Sequence, residues 1–110
     1  MGKTILITSR RLGRGDDELG DILMGSFLRK LCLAESKPDR IILYNSGVHL
    51  IANGSTVLDA METLIQQGVD ILACGTCLGH FKLLDKIAVG RKSDMQEIVS
   101  FLTTDQVTTV

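Results

Sequence analysis

The sequence predicts a three-layer α/β/α domain built on a mainly parallel sheet of about five strands. Short apolar, β-branched runs alternate with stretches of helical period from one end of the chain to the other. The runs are continuously apolar rather than alternating, as in strands covered on both faces. With 110 residues, 45% of them hydrophobic and a single Pro, the chain suffices for one compact domain with its own core and leaves no room for a linker.

Residues 4–8, Thr-Ile-Leu-Ile-Thr, give the first strand. The helix after it opens on Asp16-Asp17-Glu18, acids suited to the positive end of a helix dipole, and carries Leu19, Ile22, Leu23, Phe27 and Leu31 as its apolar face. Cys32, late on that helix, reads as a small buried hydrophobe. Residues 40–44 form the second strand. Val57, Leu58, Met61, Leu64 and Ile65 make the next helical stripe, capped by Ser55 and Thr56 and closed by Gly68 in a left-handed conformation. Residues 69–73 form the third strand, and 86–89 and 106–110 are weaker strand candidates. Met95, Ile98, Val99 and Leu102 mark the last helix, opened by a capping box of Ser93 and Gln96. The methionines read as core rather than as cofactor contacts. In a parallel sheet the loops 9–16, 45–53 and 74–78 all leave by the carboxyl edge, so they are expected to line one cleft.

Composition excludes several classes of function. Twelve basic residues against thirteen acidic ones give a formal charge of −1, which argues against a nucleic-acid partner. The pairs Arg10-Arg11, Arg29-Lys30 and Arg91-Lys92 read as solvated surface charge. No apolar run is long enough to span a bilayer and no cleavable signal opens the chain, so a cytoplasmic protein with no membrane partner is expected. Three cysteines in such a chain should be mostly reduced thiols. Gly13-Arg14-Gly15 lacks the Walker spacing and the full dinucleotide pattern, and three acids follow where a phosphate would sit, so no cofactor is expected. Its glycines serve a tight strand-to-helix turn, and Arg14 is placed to neutralise a thiolate or bind a small anion.

The chemistry concentrates in Cys74-Gly75-Thr76-Cys77, directly after an apolar strand. A thiol between a strand and a helix faces backbone N–H groups and the positive dipole end, so its pKa is expected to fall. Gly75 permits close backbone approach, Thr76 can cap the turn or reach a sulfur, and His80 lies three residues beyond Cys77 as a base or donor. The alternatives are an inert, buried Cys74 and an idle His80. Thioredoxin-like exchange fits poorly, because the only proline, Pro38, lies upstream of the cysteines. Cys74, Cys77 and His80 supply three zinc-type ligands and no evident fourth, so no metal is expected.

Ile5-Leu6-Ile7-Thr8-Ser9, Leu12-Gly13-Arg14-Gly15-Asp16-Asp17-Glu18-Leu19-Gly20, Tyr44-Asn45-Ser46-Gly47-Val48, Val69-Asp70-Ile71-Leu72-Ala73-Cys74-Gly75-Thr76-Cys77-Leu78 and Met95-x-x-Ile98-Val99 are together similar to the DsrE/DsrF-like domain of the YedF proteins. The resemblance runs over residues 1–110 as a single domain. It implies a sulfurtransferase-like role associated with selenium metabolism and a DsrEFH-like three-layer fold. In the wider DsrE-like group a cysteine after a central strand relays sulfur as a persulfide; by position it corresponds to Cys74, with Cys77 an extra thiol of the YedF-like branch. YedF relatives commonly carry a TusA-like domain ahead of this one. The sequence begins at the DsrE-like part, so a separate TusA-like protein is the implied partner.

The expected function is therefore handling of sulfane sulfur or selenium through a persulfide on Cys74, passed between donor and acceptor proteins. Cys77 would share the sulfur or release it as a disulfide, Gly75 and Thr76 would supply backbone donors, and Arg14 and His80 would support charge. Two other classes remain open: a dithiol redox protein using Cys74 and Cys77, and a non-catalytic partner-binding subunit. A homo-oligomer is expected, with contacts drawn from Leu28-Leu31-Cys32-Leu33 and Phe81-Leu83-Leu84.

Overall fold

The computed structural model describes residues 2–110. Strands β1 (Lys3–Ile7), β2 (Arg40–Leu43), β3 (Asp70–Cys74), β4 (Arg91–Ser93) and β5 (Gln106–Thr109) form one parallel sheet in the order β4-β3-β2-β1-β5. Helices α1 (Asp17–Leu33), α2 (Leu58–Gln66), α3 (Gly75–His80) and α4 (Met95–Thr104), with a 3₁₀ helix over Asn45–Ile51, occupy the connections. The α/β architecture is the expected one. Because β1, β2 and β3 are consecutive neighbours, their carboxyl-end loops lie side by side.

The two faces of the sheet are covered unequally. On one, Ile7, Ile41, Leu43, Ile71 and Ala73 join Met24 and Leu28 of α1, Met61 and Leu64 of α2 and Val48 and Ile51 of the 3₁₀ helix. On the other, Leu6, Ile42, Leu72 and Cys74 meet Ile98, flanked by Phe101 and Leu102, since α4 alone bridges β4 at one edge to β5 at the other. At about 1.5–3 kcal/mol per fully buried aliphatic side chain, the α1/α2 face carries most of the hydrophobic stabilisation. Among the described residues, no helix is long and apolar enough to cross a membrane.

Several local expectations are corrected. The stripe assigned to the buried face of α1 is largely outside: Leu19, Ile22 and Leu23 are 51%, 60% and 41% exposed, and only Phe27 and Leu31 pack on the core. The buried face is Gly20, Met24, Gly25 and Leu28, where two glycines admit close neighbours that a leucine stripe would hold off. Of the acids expected at the start of α1, Asp16 is its cap, its Oδ1 accepting the Leu19 N–H at 2.8 Å. Neither Ser55 nor Thr56 caps α2, which starts after Val57; Ser55 Oγ accepts the Val57 N–H instead, at 3.2 Å. Gly68 is left-handed, at φ +96°. Residues 86–89 are not a sheet strand. Ile87 bridges Ala52 in antiparallel fashion, the segment leans on the end of the 3₁₀ helix, and β4 begins only after Gly90 turns at φ +78°. Ser93 then ends β4, so the cap of α4 is Asp94, whose Oδ1 accepts the Glu97 N–H at 2.8 Å.

Polar groups close the amino edge of the sheet. Asp39 laces three strands together: its carboxylate accepts the Lys3 N–H at 2.7 Å, its own N–H reaches Lys3 O, and its carbonyl takes the Asp70 N–H. Asp105, at the end of α4, has a side chain only 5% exposed and accepts from the Thr4 hydroxyl (2.6 Å), the Gly2 N–H (3.2 Å) and the Arg40 guanidinium. Arg40 in turn lies over Phe101, 4.0 Å from its ring centroid.

The Thr4 hydrogen bond, followed by the Gly2 N–H and the Arg40 charge, holds the Asp105 carboxyl below the ordinary carboxylate range against the opposing effect of burial. A carboxylate so placed contributes stability that is full above its ordinary pKa and lost as pH falls through the lowered one. Asp105→Asn is expected to lower the midpoint of thermal unfolding at neutral pH and to flatten its acid dependence below the ordinary carboxylate value. Melting curves across that range, compared with the unsubstituted protein, check both.

Candidate functional site

Strand alternation decides where the first thiol goes. In β3, Ile71 and Ala73 belong to the α1/α2 core, whereas Leu72 and Cys74 belong to the α4 core. Cys74 is therefore enclosed at the strand's carboxyl end, with no exposed surface. Gly75 follows because nothing larger fits: a Cβ there would lie 2.9 Å from the Ser93 carbonyl oxygen. The chain then turns through α3, whose Leu78 returns to the α1/α2 core, and Cys77 emerges half-buried where the two cores meet.

The sulfur of Cys77 accepts the backbone N–H of Asn45 at 3.0 Å. That donor is aimed by an unusual backbone, since Asn45 sits at φ +52°, a left-handed conformation that asparagine tolerates better than most residues. Asn45 Oδ1 accepts the next N–H, that of Ser46, at 2.8 Å. Gly47 then lets the 3₁₀ helix seat against β1, because a Cβ at that position would come within 2.8 Å of Ile7 O. The sequence signals Asn45 only as turn chemistry, Asn-Ser-Gly directly after a strand, and not as a donor to sulfur.

Burial pushes the Cys77 thiol above its ordinary pKa; the neighbouring Cys74 adds to the rise by hydrogen bonding and charge, and the Asn45 N–H opposes it. For Cys77 this reverses the expected depression. The one lowering influence, the Asn45 N–H, is outweighed by desolvation.

The remaining expected site residues separate. Gly75 and Thr76 line an open cleft of about 670 Å³ with Arg91, Lys92, Ser93, Asp94 and Glu97. This cleft lies at a topological switch point: the connection after β3 turns to the α1/α2 face and that after β4 to the α4 face. Arg91 forms paired hydrogen bonds to Asp70 (3.0 and 2.9 Å) and Glu97 (2.8 and 3.2 Å), a cluster the sequence did not signal. Arg91, and after it Ser93, hold Glu97 below the ordinary carboxylate range. The Thr76 hydroxyl bonds to neither sulfur among the described residues. His80 is exposed at the end of α3, edge-on to Phe81 with ring centroids 5.1 Å apart. Phe81 also contacts His49, with ring centroids 4.7 Å apart, and the His49 pKa is lowered by burial and then by Arg10. Arg14 is exposed in a different cleft, which shares Asn45 with the thiol site. Cys32 lies between α1 and α2, its thiol donating to Leu28 O at 3.3 Å. Among the described residues no three His, Cys, Asp or Glu side chains converge as metal ligands.

No family profile and no functionally curated protein matches the chain. The solved structures that it is similar to include the following three. The ychN protein from E. coli has a TM-score of 0.73 at 18% identity, over 100% of both chains. MTH1491 from Methanobacterium thermoautotrophicum, described as a protein of unknown function, has 0.72 at 23% identity, over 98% of this chain and 97% of that one. BT1422 from Bacteroides thetaiotaomicron, also described as of unknown function, has 0.67 at 16% identity, over 98% and 94%. At these identities the likeness is one of fold, shared over nearly the whole length of each chain.

Proposed function

We propose that the protein handles sulfane sulfur, taking it up on Cys77 with Cys74 as the second thiol behind it. The observation that carries this is the Asn45 N–H held on the Cys77 sulfur beside the Cys74 thiol. An N–H on a sulfur favours its anionic form when it reacts, and burial keeps it protonated at rest. The roles differ from those expected in the sequence, where Cys74 carries the persulfide. A wholly enclosed sulfur offers a protein donor nothing to touch, whereas Cys77 is reachable.

The chemistry is thiol exchange. The Cys77 thiolate attacks the outer sulfur of a donor persulfide, R–S–SH, forming Cys77–S–SH and releasing R–S⁻. An acceptor thiolate then attacks that outer sulfur, takes it as its own persulfide and restores the Cys77 thiolate. Each step makes one S–S bond and breaks one, so no outside oxidant is needed. The resemblance of the sequence motifs to DsrE-like domains supports this role, extends it to selenium and favours a TusA-like protein as donor or acceptor. Gly75 and Thr76, lining the adjoining cleft, are suited to receive that partner's reactive segment.

A second reading, reversible oxidation to a Cys74–Cys77 disulfide, is favoured by the closeness of the two thiols. Mass spectrometry after treatment with inorganic polysulfide separates the two. Sulfur transfer is expected to add one sulfur atom on Cys77, abolished in Cys77→Ser and kept in Cys74→Ser and Cys32→Ser. Loss of two hydrogens without added sulfur would support the redox role, a label on Cys74 would restore the original assignment, and no change would leave a non-catalytic subunit.

The raised thiol makes a further prediction. Alkylation of Cys77 by iodoacetamide should accelerate with pH through a midpoint above the ordinary thiol value. In Cys74→Ala, which removes a cause of the rise, that midpoint should move down.

Self-association belongs to the same proposal. Leu28 and Leu83, two of the residues expected at contacts, are buried within the chain, whereas Leu33 and Leu84 remain 76% and 52% exposed. The outward Leu19, Ile22 and Leu23 of α1 add apolar surface of the kind subunit contacts use. Light scattering is expected to give a multiple of the 12.0 kDa chain mass, reduced in an Ile22→Asp, Leu23→Asp double variant.

A further inference from the structure

We propose that the cleft between the β1–α1 loop and the 3₁₀ helix binds a small tetrahedral oxyanion through the Arg14 guanidinium and the hydroxyls of Ser9 and Ser46. The cleft, about 470 Å³, opens at the carboxyl end of β1, and no Asp or Glu side chain lines it. Of the acids at the start of α1, Asp16, Asp17 and Asp21 are engaged elsewhere, and Glu18 does not line the cleft. Asp16 is turned onto the Leu19 N–H, and Asp17 and Asp21 lie 3.9 and 3.2 Å from Arg11 Nε. The charge of Arg11 is thus met by carboxylates of α1. Arg14 has no ion pair among the described residues.

The hydroxyls point to the charge of the ligand. Ser9 Oγ accepts the Arg11 N–H at 3.1 Å, and Ser46 Oγ accepts the Arg10 N–H at 3.2 Å. Each oxygen therefore has a lone pair engaged by backbone and a proton left to give. The two oxygens are 3.5 Å apart, too far for either to satisfy the other well. Two hydroxyl protons and an unpaired guanidinium in one cleft suit a ligand that only accepts, and an oxyanion accepts at every oxygen. No aromatic side chain lines the cleft, so nothing there favours a nucleoside over the bare anion. The site does not depend on the cysteines, although Asn45 borders both this cleft and Cys77.

Titration calorimetry with sodium sulfate and sodium phosphate, at ionic strength fixed with chloride, tests the assignment. Saturable one-to-one binding of at least one of the two anions is expected in the unsubstituted protein. Arg14→Gln, a change on an exposed loop, should weaken it roughly tenfold or more, the loss of one charge-assisted hydrogen bond. Ser46→Ala should weaken it less, and Cys77→Ser should bind as the unsubstituted protein does. Absence of saturable binding to both anions, unchanged affinity in Arg14→Gln, or loss of binding in Cys77→Ser would overturn the proposal. Because the cysteine variant is expected to bind normally, a failure of sulfur transfer would leave this result standing, and the reverse also holds.

Discussion

β5 reaches the sheet only after α4 has crossed an entire face of it, and the side chain that fixes it there is Asp105. One carboxylate takes the Gly2 N–H before β1, the Thr4 hydroxyl within it and the guanidinium of Arg40 at the start of β2. The smaller core depends on that fixation. Ile98, Phe101 and Leu102 can cover Leu6, Ile42 and Leu72 only if both ends of α4 are held, and the far end is held by Asp105. The enclosure of Cys74 follows from the same arrangement, since it lies in that core.

The two edges of the sheet are built from different materials. At the amino edge, Asp39 and Asp105 bind backbone N–H groups and a guanidinium through carboxylates, bonds that carry charge on at least one side. At the carboxyl edge the loops hold one another through the Ser9 and Ser46 hydroxyls, the amide of Asn45 and the Cys77 sulfur, all neutral groups. The contacts that run between the loops after β1, β2 and β3 are thus neutral, whereas those that tie strands at the amino edge carry charge.

Much of this was legible in the sequence because strand runs and sharp turns are local signals. The strands at residues 4–8, 40–44 and 69–73 appear displaced by at most a residue or two, and the loops after them share one edge. What failed depends on partners distant in the chain. Leu19, Ile22 and Leu23 have helical spacing as good as that of Met24 and Leu28, and only the packing of α1 on α2 and the sheet selects between the two faces. The apolar run 86–89 reads as a strand and instead leans on the 3₁₀ helix. At the site, the cysteine pair was visible. The enclosure of Cys74 was not, because it depends on which way β3 is faced and on a helix that begins some twenty residues later.

The strand order also sets a timetable for assembly. Lys3 and Asp39, which tie β1 to the start of β2, are separated by 36 positions, and Gly2 and Asp105 by 103. Loop closure over the longer span costs only about 1 kcal/mol more, so the penalty in stability is small. In time it is larger, since contacts between distant positions form late. On a ribosome β1, β2 and β3 can pair as they emerge, but α4 and β5 arrive last, and until they do one face of a hydrophobic sheet and one edge of β1 stand open. During that interval Cys74, enclosed in the finished protein, has no lid above it, and the nascent chain is at its most vulnerable to oxidation and to mispairing with its own kind.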